Sequence, residues 1–270
     1  MVKKLLKHEF MYYVRTFGLF LPIVLVIGVM ARVFRLFDNG DTINDIMIFS
    51  SSAMLVVSCA AVVLMSNVVG IVRFYKNLFT AEGYLSFTLP VTNGEHIFVK
   101  LLASLVCQTV CFLVAVAAAV IALSGDLLDS MWRDCSMMIN ILWEGVGPAH
   151  CIGYALEMVL LMILSGVANM LLFYACIAVG QTAKKNRIVM AVVAYFVFYI
   201  ATQILATVFT VVLAVLGMTE ALNGIGEWIA YHPMATIHIY LCGIAVLTAA
   251  MSVLFWIVTQ KIMTNKLNLE

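Results

Sequence analysis

Residues 73–91 read RFYKNLFTAEGYLSFTLPV and stand between two long apolar runs. Whether this polar, aromatic, Gly- and Pro-bearing stretch is a loop outside a membrane or part of a soluble core decides how the whole chain folds. Composition answers first. Apolar residues make up 64% of the 270 and charged residues only 11%, where a soluble domain carries about a quarter charged residues. The chain therefore reads as an all-α integral membrane protein.

A helix crossing about 30 Å of hydrocarbon at about 1.5 Å per residue needs about 20 apolar residues. Six segments meet this requirement: 16–36, 46–72, 97–124, 151–180, 188–217 and 236–258. Several exceed it and are expected to tilt or extend into the interface. Nothing outside them is long enough for a second domain, so residues 1–270 are expected to form one transmembrane six-helix bundle. The first segment is too long for a signal peptide and lacks a small-residue cleavage site, so it reads as a retained helix.

Lys and Arg in short loops set orientation. Alternating the six spans places Lys3, Lys4, Lys7, Arg15, Arg73, Lys76, Lys100, Lys184, Lys185, Arg187, Lys261 and Lys266 on one side, twelve of the fifteen basic residues. Only Arg32, Arg35 and Arg133 fall on the other, together with Asp38, Asp41, Asp45, Asp126, Asp129, Asp134, Glu144, Glu220 and Glu227. Both termini, and the 73–91 stretch, are expected in the cytoplasm. A net charge of +1 gives no reason to invoke nucleic acid.

The loops carry further signals. Thr42-Ile43-Asn44-Asp45 and Thr92-Asn93-Gly94-Glu95 both fit a capping box and open spans two and three. Arg32 and Arg35, near the outer end of span one, read as snorkelling cations rather than functional intramembrane charges, with Asp38 and Asp41 nearby as candidate partners. Between spans three and four, Leu127, Leu128, Met131, Trp132, Cys135, Met138, Ile139, Leu142 and Trp143 recur at helical spacing, with charged residues opposite. This predicts an amphipathic helix on the outer interface, either an anchor or a gate. The loop 218–234, with Gly224, Gly226, Trp228 and Pro233, suits a re-entrant or interfacial hairpin. No internal repeat is evident. Of seven cysteines, five fall within spans as small hydrophobes. Cys107 and Cys111 share a helix face and read as packing rather than a metal site. Cys135 and Cys151 lie at the outer face, free or paired.

On a helix, Phe74, Tyr75, Leu78 and Phe79 of the opening stretch fall on one side, with Arg73, Lys76, Asn77 and Thr80 elsewhere. Gly83 can stop such a helix and Pro90 prevents its continuation. The expectation is a short cytoplasmic helix with exposed aromatics. That face either docks into a partner's groove or wets its rings among lipid headgroups.

The run Phe74-Tyr75-Lys76-Asn77-Leu78-Phe79, then Glu82-Gly83-Tyr84-Leu85-Ser86-Phe87-Thr88-Leu89-Pro90, then Lys100-Leu101-Leu102, resembles the first cytoplasmic loop of bacterial ABC-2 type permeases. A second run, Phe173-Tyr174-Ala175-Cys176-Ile177-Ala178-Val179-Gly180-Gln181 followed by Lys184 and Lys185, is similar to the end of that family's fourth span and the basic loop behind it. With the six-span layout the resemblance covers nearly the whole chain. It implies the permease subunit of an exporter in a bacterial plasma membrane, driven by ATP hydrolysed on a separate cytosolic ABC ATPase and completed by a second permease copy or paralogue. It also implies a coupling role for the loop, carried onto Phe74, Tyr75, Lys76, Leu78, Phe79, Glu82, Gly83 and Tyr84, and it favours the docking reading of the aromatics.

The chain has no G-x-x-x-x-G-K-[ST], no H-E-x-x-H and no G-x-S-x-G, so neither ATP hydrolysis nor intramembrane hydrolysis is expected of it, and no cofactor is implied. Glu157, about two helical turns inside span four, is either a substrate-path residue or a hydrogen-bonding partner of a neighbouring helix. Asn67, Gln108, Asn169 and Gln203 read as interhelical hydrogen-bond glue rather than a binding site. The rival function is a membrane module outside the ABC class, a sensor partner or assembly factor without transport activity.

Overall fold

The computed structural model describes residues 2–37, 41–80, 83, 91–183, 185–218 and 231–265. Among them every regular element is a helix: α1 (Val2–Phe17), α2 (Phe20–Leu36), α3 (Thr42–Phe79), α4 (Asn93–Leu123), α5 (Asp126–Val146), α6 (Pro148–Gln181), α7 (Arg187–Met218) and α8 (Pro233–Asn265). Six helical segments are long and apolar enough to cross a membrane, with α1 running into α2 to make the first. The expected spans and the observed helices coincide to within a few residues except at α1, α3 and the far end of α8. The polar α1 precedes the first expected span. α3 absorbs Arg73 to Phe79 and, at about 57 Å, far exceeds the hydrocarbon thickness. The expected separate short helix is therefore the end of α3.

Contacts divide the chain into two compact units, Met1–Met138 and Ile139–Glu270. In the first, α4 packs against α1, α2 and α3, and α2 also packs on α3. The buried face of α4 carries Ala103, Cys107, Cys111, Ala115, Ala118 and Ala122. Such small side chains let helices approach closely, which matters where lipid removes the hydrophobic drive between them. α2 answers with Gly28, where an added Cβ would lie 2.7 Å from the Ala118 carbonyl oxygen. The buried stripe of α3 runs Val62, Ser66, Gly70, Phe74, Leu78, one residue per turn.

In the second unit α6 packs against α7 and, more extensively, α8. From Met170 to Ala178 all of α6 but Phe173 is buried; the Phe173 ring stacks on Tyr195 of α7, centroids 5.3 Å apart and 2° from parallel. α6 begins with Pro148 at its first turn after Gly147 at φ +91°, and α8 begins with Pro233, as suits a residue with preset φ and no amide hydrogen. No described side chain of α5 is buried.

The capping box at Thr92 is present: the Glu95 amide donates to Thr92 Oγ1 at 3.4 Å and the Thr92 amide donates to Glu95 Oε2 at 2.8 Å. The one expected at Thr42 is not. Asp41 is the N-cap of α3 and makes no side-chain capping bond, leaving Thr42 as the first helical residue. The Arg35 guanidinium donates to the Ala122 carbonyl and to Ser52 Oγ, both at 3.0 Å. Asp41 makes no ion pair with either arginine among the described residues, and Asp38 lies outside them. All seven cysteines are free, Cys135 and Cys151 included. The hairpin expected at 218–234 falls largely outside the described residues.

Candidate functional site

Two polar constellations stand out, one in each unit. In the first, Glu9 ends the first half of α1, on the Glu9–Tyr13–Phe17 face that the helix buries. Its residue is 3% exposed, a depth at which a carboxylate must be paired. Lys100 Nζ of α4 lies 2.9 Å from Oε1, Arg73 Nε of α3 lies 3.1 Å from Oε2, and Asn77 Nδ2 donates to Oε1 at 3.2 Å. The Arg73 guanidinium also rests 4.0 Å above the Tyr12 ring, a cation–π contact. Lys100 is itself buried. One carboxylate thus clamps three helices at the end where the α3–α4 loop begins and finishes. Removing one member of such a buried set leaves the others uncompensated, at a cost of about 3–5 kcal/mol.

The same end holds the residues expected to form a docking face, and here the structure corrects the reading. Phe74, Leu78 and Phe79 are buried, not exposed, and the Phe74 and Phe79 rings meet edge to face at 5.8 Å. Because α3 does not break before Arg73, its buried stripe continues through them. Tyr75 is half-buried and Lys76 exposed. Gly83 is buried, its amide bonded to the Thr80 carbonyl at 2.7 Å. Glu82 and Tyr84 lie outside the described residues.

In the second unit Glu157 is brought into a row with histidines of α6 and α8. His238 Nδ1 of α8 lies 2.7 Å from Glu157 Oε1, and His238 Nε2 lies 3.0 Å from His150 Nδ1. Tyr154 stacks on His238 at 4.3 Å and donates its hydroxyl to the Met234 carbonyl at 2.9 Å. Gly153 makes room, since a Cβ there would stand 2.8 Å from the His238 ring. The row admits one consistent chain of donors, set by the histidine tautomers: His150 Nδ1–H to His238 Nε2, and His238 Nδ1–H to the carboxylate. With these tautomers a proton taken up at His150 Nε2 can be passed along the row to the Glu157 carboxylate without moving a heavy atom. Glu157 Oε2 is buried without a partner. No three metal-ligating side chains converge among the described residues. The signal was present as His150, Tyr154 and Glu157 at i, i+4, i+7 on α6, and as His238 and Cys242 at i, i+4 on α8.

Of the four amides expected as glue, two behave so: Gln108 Nε2 donates to Asn67 Oδ1 at 2.7 Å, joining α4 to α3. Asn169 and Gln203 have no hydrogen-bond partner among the described residues. They instead line a recess walled by α6, α7 and α8. Comparisons with family models, with curated proteins and with solved structures returned no match to this chain.

Proposed function

We propose that this chain is the membrane-spanning permease subunit of an ABC-type exporter in a bacterial plasma membrane, working with a separate cytosolic ATPase and a second permease copy or paralogue. The reading rests on the resemblance of residues 74–90 and 173–181 to ABC-2 permeases and on the bias of Lys and Arg toward one side. The structural observation that supports it best is the rooting of the α3–α4 loop. A loop that receives a push from an ATPase must pass it to the spans rather than absorb it. Here the loop leaves an α3 that outruns the bilayer, with Phe74, Leu78 and Phe79 packed inward and Glu9 clamping α1, α3 and α4 together. These side chains act as the root of the lever. Contact with the ATPase then falls to Lys76 and Tyr75 and to the neighbouring Glu82 and Tyr84.

On this reading α5 lies along the outer interface, where its exposed Trp132 and Trp143 suit headgroup depth. The Glu157–His238–His150 row sits toward the outer ends of α6 and α8, beside the transport path. The test is purification of the tagged full chain from its native membrane. The expected result is a co-purifying P-loop ATPase whose recovery falls sharply with Tyr75→Asp and Lys76→Glu together, while membrane insertion is unchanged. A stable complex without an ATPase favours a sensor partner or assembly factor instead, and recovery unaffected by the double substitution removes the docking assignment.

A further inference from the structure

We infer that the second unit binds an uncharged, hydrogen-bonding amphiphile in the recess between α6, α7 and α8. The recess is open along one side and holds about 470 Å³, within the ~300–1,000 Å³ typical of small-molecule pockets, and Asn169 and Gln203 are exposed on its walls. It belongs to the middle of the spans: Asn169 lies roughly 18 Å from the Gln181 end of α6 and Gln203 roughly 24 Å from the Arg187 end of α7. At that depth a bare carboxamide is unfavourable unless something satisfies it.

The lining divides into engaged and unengaged groups. The hydroxyls of Ser165, Thr202, Thr210 and Thr248 each donate to a carbonyl of their own helix at 2.7–2.9 Å. The amides of Asn169 and Gln203 and the phenols of Tyr199 and Tyr240 have no such partner among the described residues. Two carboxamides on different walls, each offering donor and acceptor, match a ligand carrying an amide, ester or hydroxyl. The rings of Phe209 and Phe255 offer a packing surface for its apolar body. No lining side chain is charged, so an ionised ligand would enter with nothing to offset its desolvation. A helix of a second copy, about 10–12 Å across, would fill the volume with about one turn. The space is thus that of a small molecule, spread along about 22 Å of α8 from Tyr240 to Phe255.

The inference does not depend on an ATPase, and neither does its test. Purified full chain in lipid nanodiscs is titrated with the neutral fluorophore N-phenylnaphthylamine and, separately, with its sulfonated analogue anilinonaphthalene sulfonate, with empty nanodiscs subtracted. The site predicts one saturable class for the neutral probe and binding at least about tenfold weaker for the sulfonate. Asn169→Leu with Gln203→Leu should weaken the neutral probe about tenfold, the loss of its hydrogen bonds. Ala206→Trp, which keeps both amides and fills the recess, should abolish binding. Thermal melting confirms that each variant is folded, and the amide pair decides if Ala206→Trp is not. Uptake no different from empty nanodiscs means the recess holds only water and overturns the inference. So does equal affinity for the sulfonate, or a folded amide variant with unchanged affinity. Loss of self-association in that variant with binding unaltered assigns the amides to a second copy and overturns it as well.

Discussion

In the first unit the carboxylate of Glu9 takes hydrogen bonds from Lys100, Arg73 and Asn77, and both its oxygens are used. In the second, Glu157 receives His238 and the Cys242 thiol on one oxygen and keeps the other buried without a partner. The amides repeat the contrast. Gln108 and Asn67 bond each other across α3 and α4, while Asn169 and Gln203 face a recess. A network whose carboxylate is paired on both oxygens rigidifies the helices that share it, even though the Asn77 side-chain oxygen beside it is buried without a partner. An incomplete one keeps capacity for a proton or a ligand. The first unit has the character of a frame, the second that of a site.

Glu9→Ala tests the frame most severely. It strands Lys100 and Arg73 at a buried position, and a loss of about 3–5 kcal/mol is expected, seen as a large fall in melting temperature in detergent or nanodiscs. Glu157→Ala should cost far less, because its partners are half-exposed. Equal losses would erase the distinction between the units.

A paired glycine test sharpens it. Gly28→Ala drives a methyl against the backbone of Ala118, which cannot yield; a net loss of about 1–3 kcal/mol is expected from the overpacking. At Gly153 the obstacle is the His238 ring, which can swing aside. Gly153→Ala should be near neutral in stability, helped by alanine's helix preference of about 1 kcal/mol, while breaking the histidine row.

The smallest effects come from the amides. Gln108→Leu removes a bond worth about 0.6 kcal/mol in a membrane bundle and leaves Asn67 short of a partner. Gln203→Leu removes no bond and should leave the melting temperature unchanged or slightly higher. A destabilised Gln203→Leu would mean that the recess side of α7 is structural.

Much of this was legible in the chain. Hydrocarbon thickness forces about 20 apolar residues per span, so the six segments announced themselves, and Thr92 with Glu95 marked the start of α4. Two things were hidden. Glu9 meets Arg73 and Lys100 across 64 and 91 residues, a pairing that local spacing cannot show. The burial of Phe74, Leu78 and Phe79 was hidden differently. The charged and aromatic composition of residues 73–79 suggested a new element, although the stripe Val62, Ser66, Gly70, Phe74, Leu78 keeps helical period with no proline inside it. The row in the second unit also joins residues 81 and 88 apart, and only its i, i+4 polar spacing on two apolar helices gave notice.

The central claim is that the α3–α4 loop faces the cytosol, where an ATPase can push it. Thr80→Cys, placed just beyond α3 in a chain freed of its own cysteines, reports this directly through a membrane-impermeant maleimide. The account predicts no labelling in intact cells and full labelling in inverted membrane vesicles. Labelling of intact cells would put the loop on the outer surface, beyond reach of any cytosolic ATPase, and would contradict the proposal.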